Sequence, residues 1–187
     1  MRCVFLFAAM AILAAPALGA PSLSVTGVAA NDTLNLHSGP DAKSAKTGTL
    51  PPNATGITVV AVDSKGVDWV KIAKGNVSGW VNAKFLAYEV GAPVRLTCTG
   101  TEPFWSLNAG YGVANFDFNG DKTRIALEEP SVAAARSHPW LFTVHGKPAS
   151  FLLVDNPGKC SDGMSDAVYP YSMLVNAAGV FAEGCCK

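Results

Sequence analysis

Glu102, Asp162 and Asp166 offer carboxylates, and His138 and His145 offer imidazoles, that could move protons in a hydrolytic reaction. Cys98, Cys160, Cys185 and Cys186 offer thiol or disulfide chemistry. Trp69 and Trp80 make no bonds, but two indoles flanked by polar groups such as Asn35 and His37 could hold a ligand. Which of these chemistries is real depends on what positions the groups.

The proton-moving set is the weakest of the three. The chain beyond residue 93 contains no G-x-S-x-G, S-x-x-K or H-E-x-x-H pattern, and no spacing fixes the acids against the histidines. Asp162 lies in Cys160-Ser161-Asp162-Gly163-Met164-Ser165-Asp166, where a short acid is expected to cap backbone N–H groups in a turn. Met164 and Trp105 read as core. Asp117, Asn119 and Asp121 share the alternating oxygens of a calcium loop but lack its sixth-position Gly and closing Glu. Asn119-Gly120 between two alternating runs reads instead as a tight hairpin turn. No cofactor or metal is expected.

The cysteines point to oxidation. Of five in the chain, Cys3 falls in an N-terminal stretch that reads as a secretory leader. There Met1-Arg2 precedes the apolar run Val4 to Leu13, and Ala17-Leu18-Gly19-Ala20 provides small residues for cleavage after Gly19 or Ala20. Residues 1–20 are therefore assigned as a signal peptide. The run is short for a membrane span, and no later stretch replaces it. A periplasmic or secreted protein is expected, and its remaining even number of cysteines then suits disulfides. Zinc spacing is missing. Joining adjacent Cys185 and Cys186 would require a strained ring, so Cys98 and Cys160 are each expected to reach the C-terminal end. Asn31, Asn53 and Asn76 begin sequons that matter only in a eukaryotic secretory pathway. The formal charge is zero, or about −1 once Arg2 leaves, which argues against a nucleic-acid partner.

These groups must be carried on strands, because no segment after the leader keeps a helical period for three turns. Leu23 to Val25, Leu34 to Leu36, Gly48 to Leu50, Ile57 to Val62, Trp69 to Ala73 and Gly79 to Val81 are short strand segments separated by turn residues. Closing them into a small barrel would remove their edges. A Gly75-Asn76 turn sets Ile72 opposite Gly79, Val70 opposite Val81 and Lys71 opposite Trp80. Val70, Ile72 and Val81 then face the core, while Trp69, Lys71 and Trp80 share the other face. The two indoles form a ligand platform on that face, or else pack under long loops such as Val28 to Leu34. A second β-rich block starts after Tyr88-Glu89-Val90-Gly91-Ala92-Pro93. Its expected strands include Val94 to Cys98, Trp105 to Ala109, Leu141 to Val144, Phe151 to Val154, Tyr171 to Val175 and Val180 to Ala182.

Leu34 to Pro40, Gly48-Thr49-Leu50, Trp69-Val70-Lys71-Ile72, Gly75 to Val81 and Phe85-Leu86 occur in the order L-N-V-R-S-G-P, G-x-L, W-x-K-V, G-W-V, aromatic-Leu. By these motifs residues 22–88 resemble a bacterial SH3 domain. The resemblance implies an SH3-like barrel that binds peptidoglycan peptide or a protein partner, with Trp69, Trp80, Asn35 and His37 as ligand-binding candidates. His37 stands where the family has Arg, replacing a permanent planar cation with a group that titrates near neutrality. A structural clamp is the expected role. Were it to meet a ligand carboxylate, binding would strengthen in mild acid.

Residues 95–187 resemble an uncharacterised family of bacterial envelope proteins, often lipoproteins. The shared elements are Gly100 to Trp105, Cys160 to Asp166 with Tyr169-Pro170, and Gly184-Cys185. Because that family ends with one Cys after Gly, the resemblance implies Cys160–Cys185 and leaves Cys98–Cys186. The resulting reading is an all-β chain: a signal peptide (1–20), an SH3-like small barrel (22–88), a linker (89–93) and a disulfide-bonded antiparallel β domain (94–187), barrel-like or a curled sheet. A monomeric, non-enzymatic envelope-binding protein is expected, with cell-wall peptide or an envelope protein as partner. The alternative is a wall hydrolase, or an inhibitor of one, acting through the second domain.

Overall fold

Short alternating segments bury one face only when a partner strand covers them, so the chain builds its core by pairing neighbours. The computed structural model describes residues 22–187, and the expected leader with its cleavage site lies outside the described residues. The first sheet contains β1 (Ser22–Val25), β2 (Leu34–His37), β3 (Lys46–Leu50), β4 (Ile57–Val62), β5 (Trp69–Lys74), β6 (Val77–Asn82) and β7 (Leu86–Tyr88). A 3₁₀ turn, Ala83–Phe85, separates the last two. The order across the sheet is β3-β2-β6-β5-β4-β1-β7. The β5–β6 register is the one the Gly75-Asn76 turn dictates: Lys71 opposes Trp80 and Ile72 opposes Gly79. Val70, Ile72 and Val81 are fully buried, as is Leu23.

The second half adds β8 (Leu96–Thr101), β9 (Phe104–Gly110), β10 (Val113–Phe118), β11 (Asp121–Ala126), β12 (Ser131–Val132), β13 (Trp140–Val144) and β14 (Lys147–Asp155). The two-residue strands β15 (Cys160–Ser161) and β16 (Val168–Tyr169) pair with each other, and β17 (Tyr171–Ala177) and β18 (Val180–Cys186) complete the chain. The large sheet runs β11-β10-β9-β8-β18-β17-β14-β13-β12. It curls until Leu127, just past β11, bridges Val144 of β13. Its inner face carries Leu107, Phe116, Leu152, Val154, Met173 and Val175. The architecture is all-β with two curled sheets. Asn119, at φ 52°, and Gly120 form the β10–β11 turn, and the Asp117 carboxylate accepts from Gly120 N at 2.9 Å. That oxygen therefore serves the turn. No helix among the described residues is long and apolar enough to cross a membrane.

Three short strands, β12, β15 and β16, carry too little alternation to be read from sequence. The expected linker also proves to be no loose tether. Tyr88 N donates to Ala92 O and Gly91 N to Tyr88 O, each at 2.8 Å, closing a tight turn. Ala92 is fully buried, and Ala87 bridges Pro93. Small apolar residues here gain more from burial than from solvent. The Tyr88 ring lies parallel to Tyr111 at 6.0 Å and edge-on to Phe142 at 6.1 Å, and Trp140 Nε1 donates to Val90 O at 2.9 Å. Gly110 lets the Val67 backbone approach, since a Cβ there would lie 2.5 Å from Val67 O. Arg95 Nε meets Asp68 Oδ1 at 2.6 Å, and its guanidinium also donates to Asn108 Oδ1 and Ala109 O. Buried residues of both sheets belong to one continuous core.

Cys98 and Cys186 oppose each other on β8 and β18 and are joined, with Cα atoms 4.0 Å apart. Cys160 and Cys185 are joined across a separation of 25 residues. Closing the 88-residue separation of the first bond removes more unfolded-state freedom, roughly 4–5 kcal/mol against roughly 3–4 for the shorter loop. Replacing Cys98 and Cys186 by Ser is expected to lower the unfolding free energy in urea by about 4 kcal/mol. Replacing Cys160 and Cys185 is expected to cost less, and limited proteolysis should then cut first between residues 161 and 168.

Candidate functional site

The loop from Thr26 to Thr33 is anchored at both ends. Thr26 N donates to Phe85 O at 2.9 Å, and Asp32 N to Ala29 O at 2.9 Å. Asp32 Oδ1 also accepts from Thr33 N at 2.7 Å. The chain then enters β2, where Leu34 and Leu36 turn into the core and Asn35, half-buried, and His37, buried, lie on the other side beneath the loop. A cleft of about 480 Å³ opens between this loop, β2 and the end of β6. Asn35, His37 and Trp69 line it together with Asp32, Asn82 and Lys84.

His37 is the one buried polar side chain in the described core, at 9% exposure. Its Nδ1 lies 3.1 Å from Ser44 O. A carbonyl only accepts, so Nδ1 carries the hydrogen and donates. The ring also stands edge-on to Trp69, with centroids 5.6 Å apart and planes at 84°. His37 thus ties the segment after β2 to the sheet and props the Trp69 indole. Trp80 sits opposite His37 across β2 and β6 on the same face, yet it does not line the cleft. The aromatic neighbour of Trp69 is the imidazole, so the binding surface beside it is one indole with polar edges.

Asn82, Lys84 and Asp32 escaped sequence reasoning. Asn82 Oδ1 accepts from Lys84 N at 3.1 Å and so starts the 3₁₀ turn. That turn sets Lys84 Nζ over the Phe85 ring, 4.8 Å from its centroid. An Asn directly after G-W-V, with Lys and Phe two and three residues further on, was the available signal. The cleft consequently presents one cation, one anion, two amides and an aromatic wall.

The proton-moving candidates are dispersed. Asp162 accepts from Met164 N and Ser165 N, both at 3.0 Å, from Ser165 Oγ, and from Tyr169 OH at 3.1 Å. These backbone and side-chain donors hold its pKa below the ordinary aspartate value of 3.8. It stays an anion whose lone pairs organise the loop. His138 Nδ1 pairs with Asp155 at 2.5 Å, and His145 faces Glu128 at 3.5 Å. Asp166 is exposed on the same loop as Asp162. Only Glu102 and Asp162 line a common cleft. Among the described residues no group of three or more His, Cys, Asp or Glu could hold a metal ion.

The sign of the Asp162 effect follows from its lowered value. The loop's carboxylate contribution is complete above the ordinary aspartate range and is lost only as pH falls through the depressed folded value. Amide exchange at Met164 and Ser165 should therefore stay protected from neutral pH down to 3.8 and fail only below it. Asp162→Asn should abolish that acid transition and leave both amides less protected throughout.

None of the curated proteins compared with the chain matches it. The family model described as the bacterial SH3 domain matches residues 32–87, which take in β2 to β6 and most of β7. Such a match suggests a role in binding the cell wall or a protein. The disulfides agree with an extracytoplasmic setting. With its strand order, its β5–β6 register and this match, the segment from Asp32 to Ala87 is a bacterial SH3 domain.

Proposed function

We propose that the chain is a non-enzymatic envelope-binding protein whose SH3 cleft takes a short peptide of the cell wall. The observation that carries this reading is that Asp32 and Lys84 line one cleft together with the Trp69 wall and the amides of Asn35 and Asn82. A short peptide brings what such a cleft can match: an ammonium group, a carboxylate, and amides between them. Phe85 and the raised Ala29 loop shape the apolar remainder of the cleft. His37 acts from below, as a prop for Trp69 rather than as the ligand's partner. The engagement of Asp162 by its own loop and of His138 by Asp155 supports a binding role, because general acid/base work needs free groups converged on one substrate position.

Co-sedimentation with purified peptidoglycan tests the reading. Trp69→Ala is expected to weaken binding by about 2 kcal/mol, or ~30-fold, as for a buried aromatic anchor. Lys84→Glu should weaken it as well, and Trp80→Ala should have the smaller effect. Release of soluble muropeptides would mark a hydrolase and overturn the proposal, as would unchanged binding by Trp69→Ala. Binding to an envelope protein with no retention on peptidoglycan would assign the cleft to a protein partner instead.

A further inference from the structure

Thr99, Gly100 and Thr101 line two clefts at once on the outer face of the second sheet. One, of about 580 Å³, lies over β14, β17 and β18, and the other, of about 390 Å³, extends toward the β10–β11 turn. Their common floor is a row of directly opposed residues. Asp155 faces Ser172, Ser172 faces Cys185, Cys185 faces Thr99, Thr99 faces Ser106, and Ser106 faces Asp117. Five strand spacings at about 4.8 Å set the ends of this row about 24 Å apart, and Cys185 near its middle is buried under its disulfide partner Cys160, so the row carries two clefts that adjoin at Thr99 to Thr101.

The trough that these clefts form together is lined by charge of one sign. Glu102, Asp155, Asp162 and Glu183 line the larger cleft and Asp117 the smaller, and no Lys, Arg or His lines either. Asp155, Asp162 and Asp117 are engaged with His138, the loop and Gly120. The Glu102 and Glu183 carboxylates have no hydrogen-bond or ion-pair partner among the described residues, and both are exposed. Leu153 and Leu174 supply apolar floor. Phe104, opposite Thr101 on β9 and so on the same face, is 61% exposed. His138 stands behind Asp155 at one end and Lys122 opposes Asp117 at the other, but between them the adjoining clefts, with free Glu102 and Glu183, no cation among their lining residues and a bare phenyl ring, complement a chain that alternates positive and apolar groups.

We propose that this trough binds an extended cationic polypeptide segment, with Lys or Arg side chains meeting Glu102 and Glu183 and an apolar side chain meeting Phe104. The segment lies across the strands, and the Cys160–Cys185 loop forms one wall. This site is separate from the SH3 cleft and uses the second domain for recognition.

Fluorescence anisotropy on the full chain tests it, using a labelled heptapeptide with a central Phe and Lys elsewhere, and its Glu counterpart. The Lys peptide should bind at low ionic strength and the Glu peptide should not. Glu102→Gln with Glu183→Gln should weaken binding at least about tenfold, and Phe104→Ala should weaken it further. Glu89→Gln with Glu129→Gln, which removes the same charge elsewhere, should leave it unchanged. Equal loss in both double variants would reduce the effect to net charge and overturn the proposal, and so would failure of the Lys peptide to bind. If the chain instead forms a dimer that Glu102→Gln with Glu183→Gln dissociates, the trough belongs to a second copy, which also overturns it.

Discussion

The seam between β8 and β18 joins the first and last strands of the second half in the middle of its sheet, and everything the C-terminal half presents depends on it. Its registered pairing is short: Cys98 with Cys186 and Thr99 with Cys185, extended by reciprocal hydrogen bonds between Thr97 and Lys187. Such a contact between distant parts of the chain carries a heavy loop-closure cost. The Cys98–Cys186 bond offsets it in the unfolded state. In the folded state the Trp105 indole covers the seam from inside. It donates to Glu183 O at 3.2 Å and lies so close to Gly100 that a Cβ there would come within 2.0 Å of its Nε1. Any side chain at Gly100 would lift the indole off the seam. The G-x-E-P-F-W and terminal G-C elements are therefore one contact seen twice.

That contact also orders the outer surface. With β18 fixed against β8, Cys185 faces outward, where it receives Cys160 and hence the loop that Asp162 organises. Thr101 Oγ1 donates to Asp162 O at 3.3 Å and draws the loop toward the turn that displays Phe104. The three motifs that stand far apart along the chain thus meet in one place. Buried Trp105 serves stability on the inner face, and exposed Glu102 and Phe104, which directly flank Pro103 of the cis Glu102–Pro103 bond, face outward.

Much of the fold was legible from local chemistry. Gly75-Asn76 and Asn119-Gly120 each dictated a hairpin and its register, because two-residue turns permit few alternatives. The apolar alternation of Val70, Ile72 and Val81 fixed which face is buried. Asn35, His37 and Trp69 could be named as candidates, but their neighbours could not. Asp32 and Lys84 reach the cleft only through how a loop and a 3₁₀ turn fold over it, and no periodicity encodes that. Trp80 shared the predicted face yet fell outside the cleft, because alternation specifies a side of the sheet and not a position on it. The segment 89–93 looked like a linker from its Gly and Pro, whereas burial of Ala92 was a tertiary decision.

The turn closed by Tyr88, Gly91 and Ala92 changes what the two proposed recognition surfaces on one chain would mean. A flexible tether would let each surface search independently and would average over many separations. Here Tyr88, Trp140 and Arg95 lock the bodies on either side of the turn. With both proposed surfaces in use, the protein would act as a ruler rather than a leash. Two targets engaged together would themselves have to stand at the spacing the joint sets, so selectivity would reside in how the targets are spaced as well as in what they are made of.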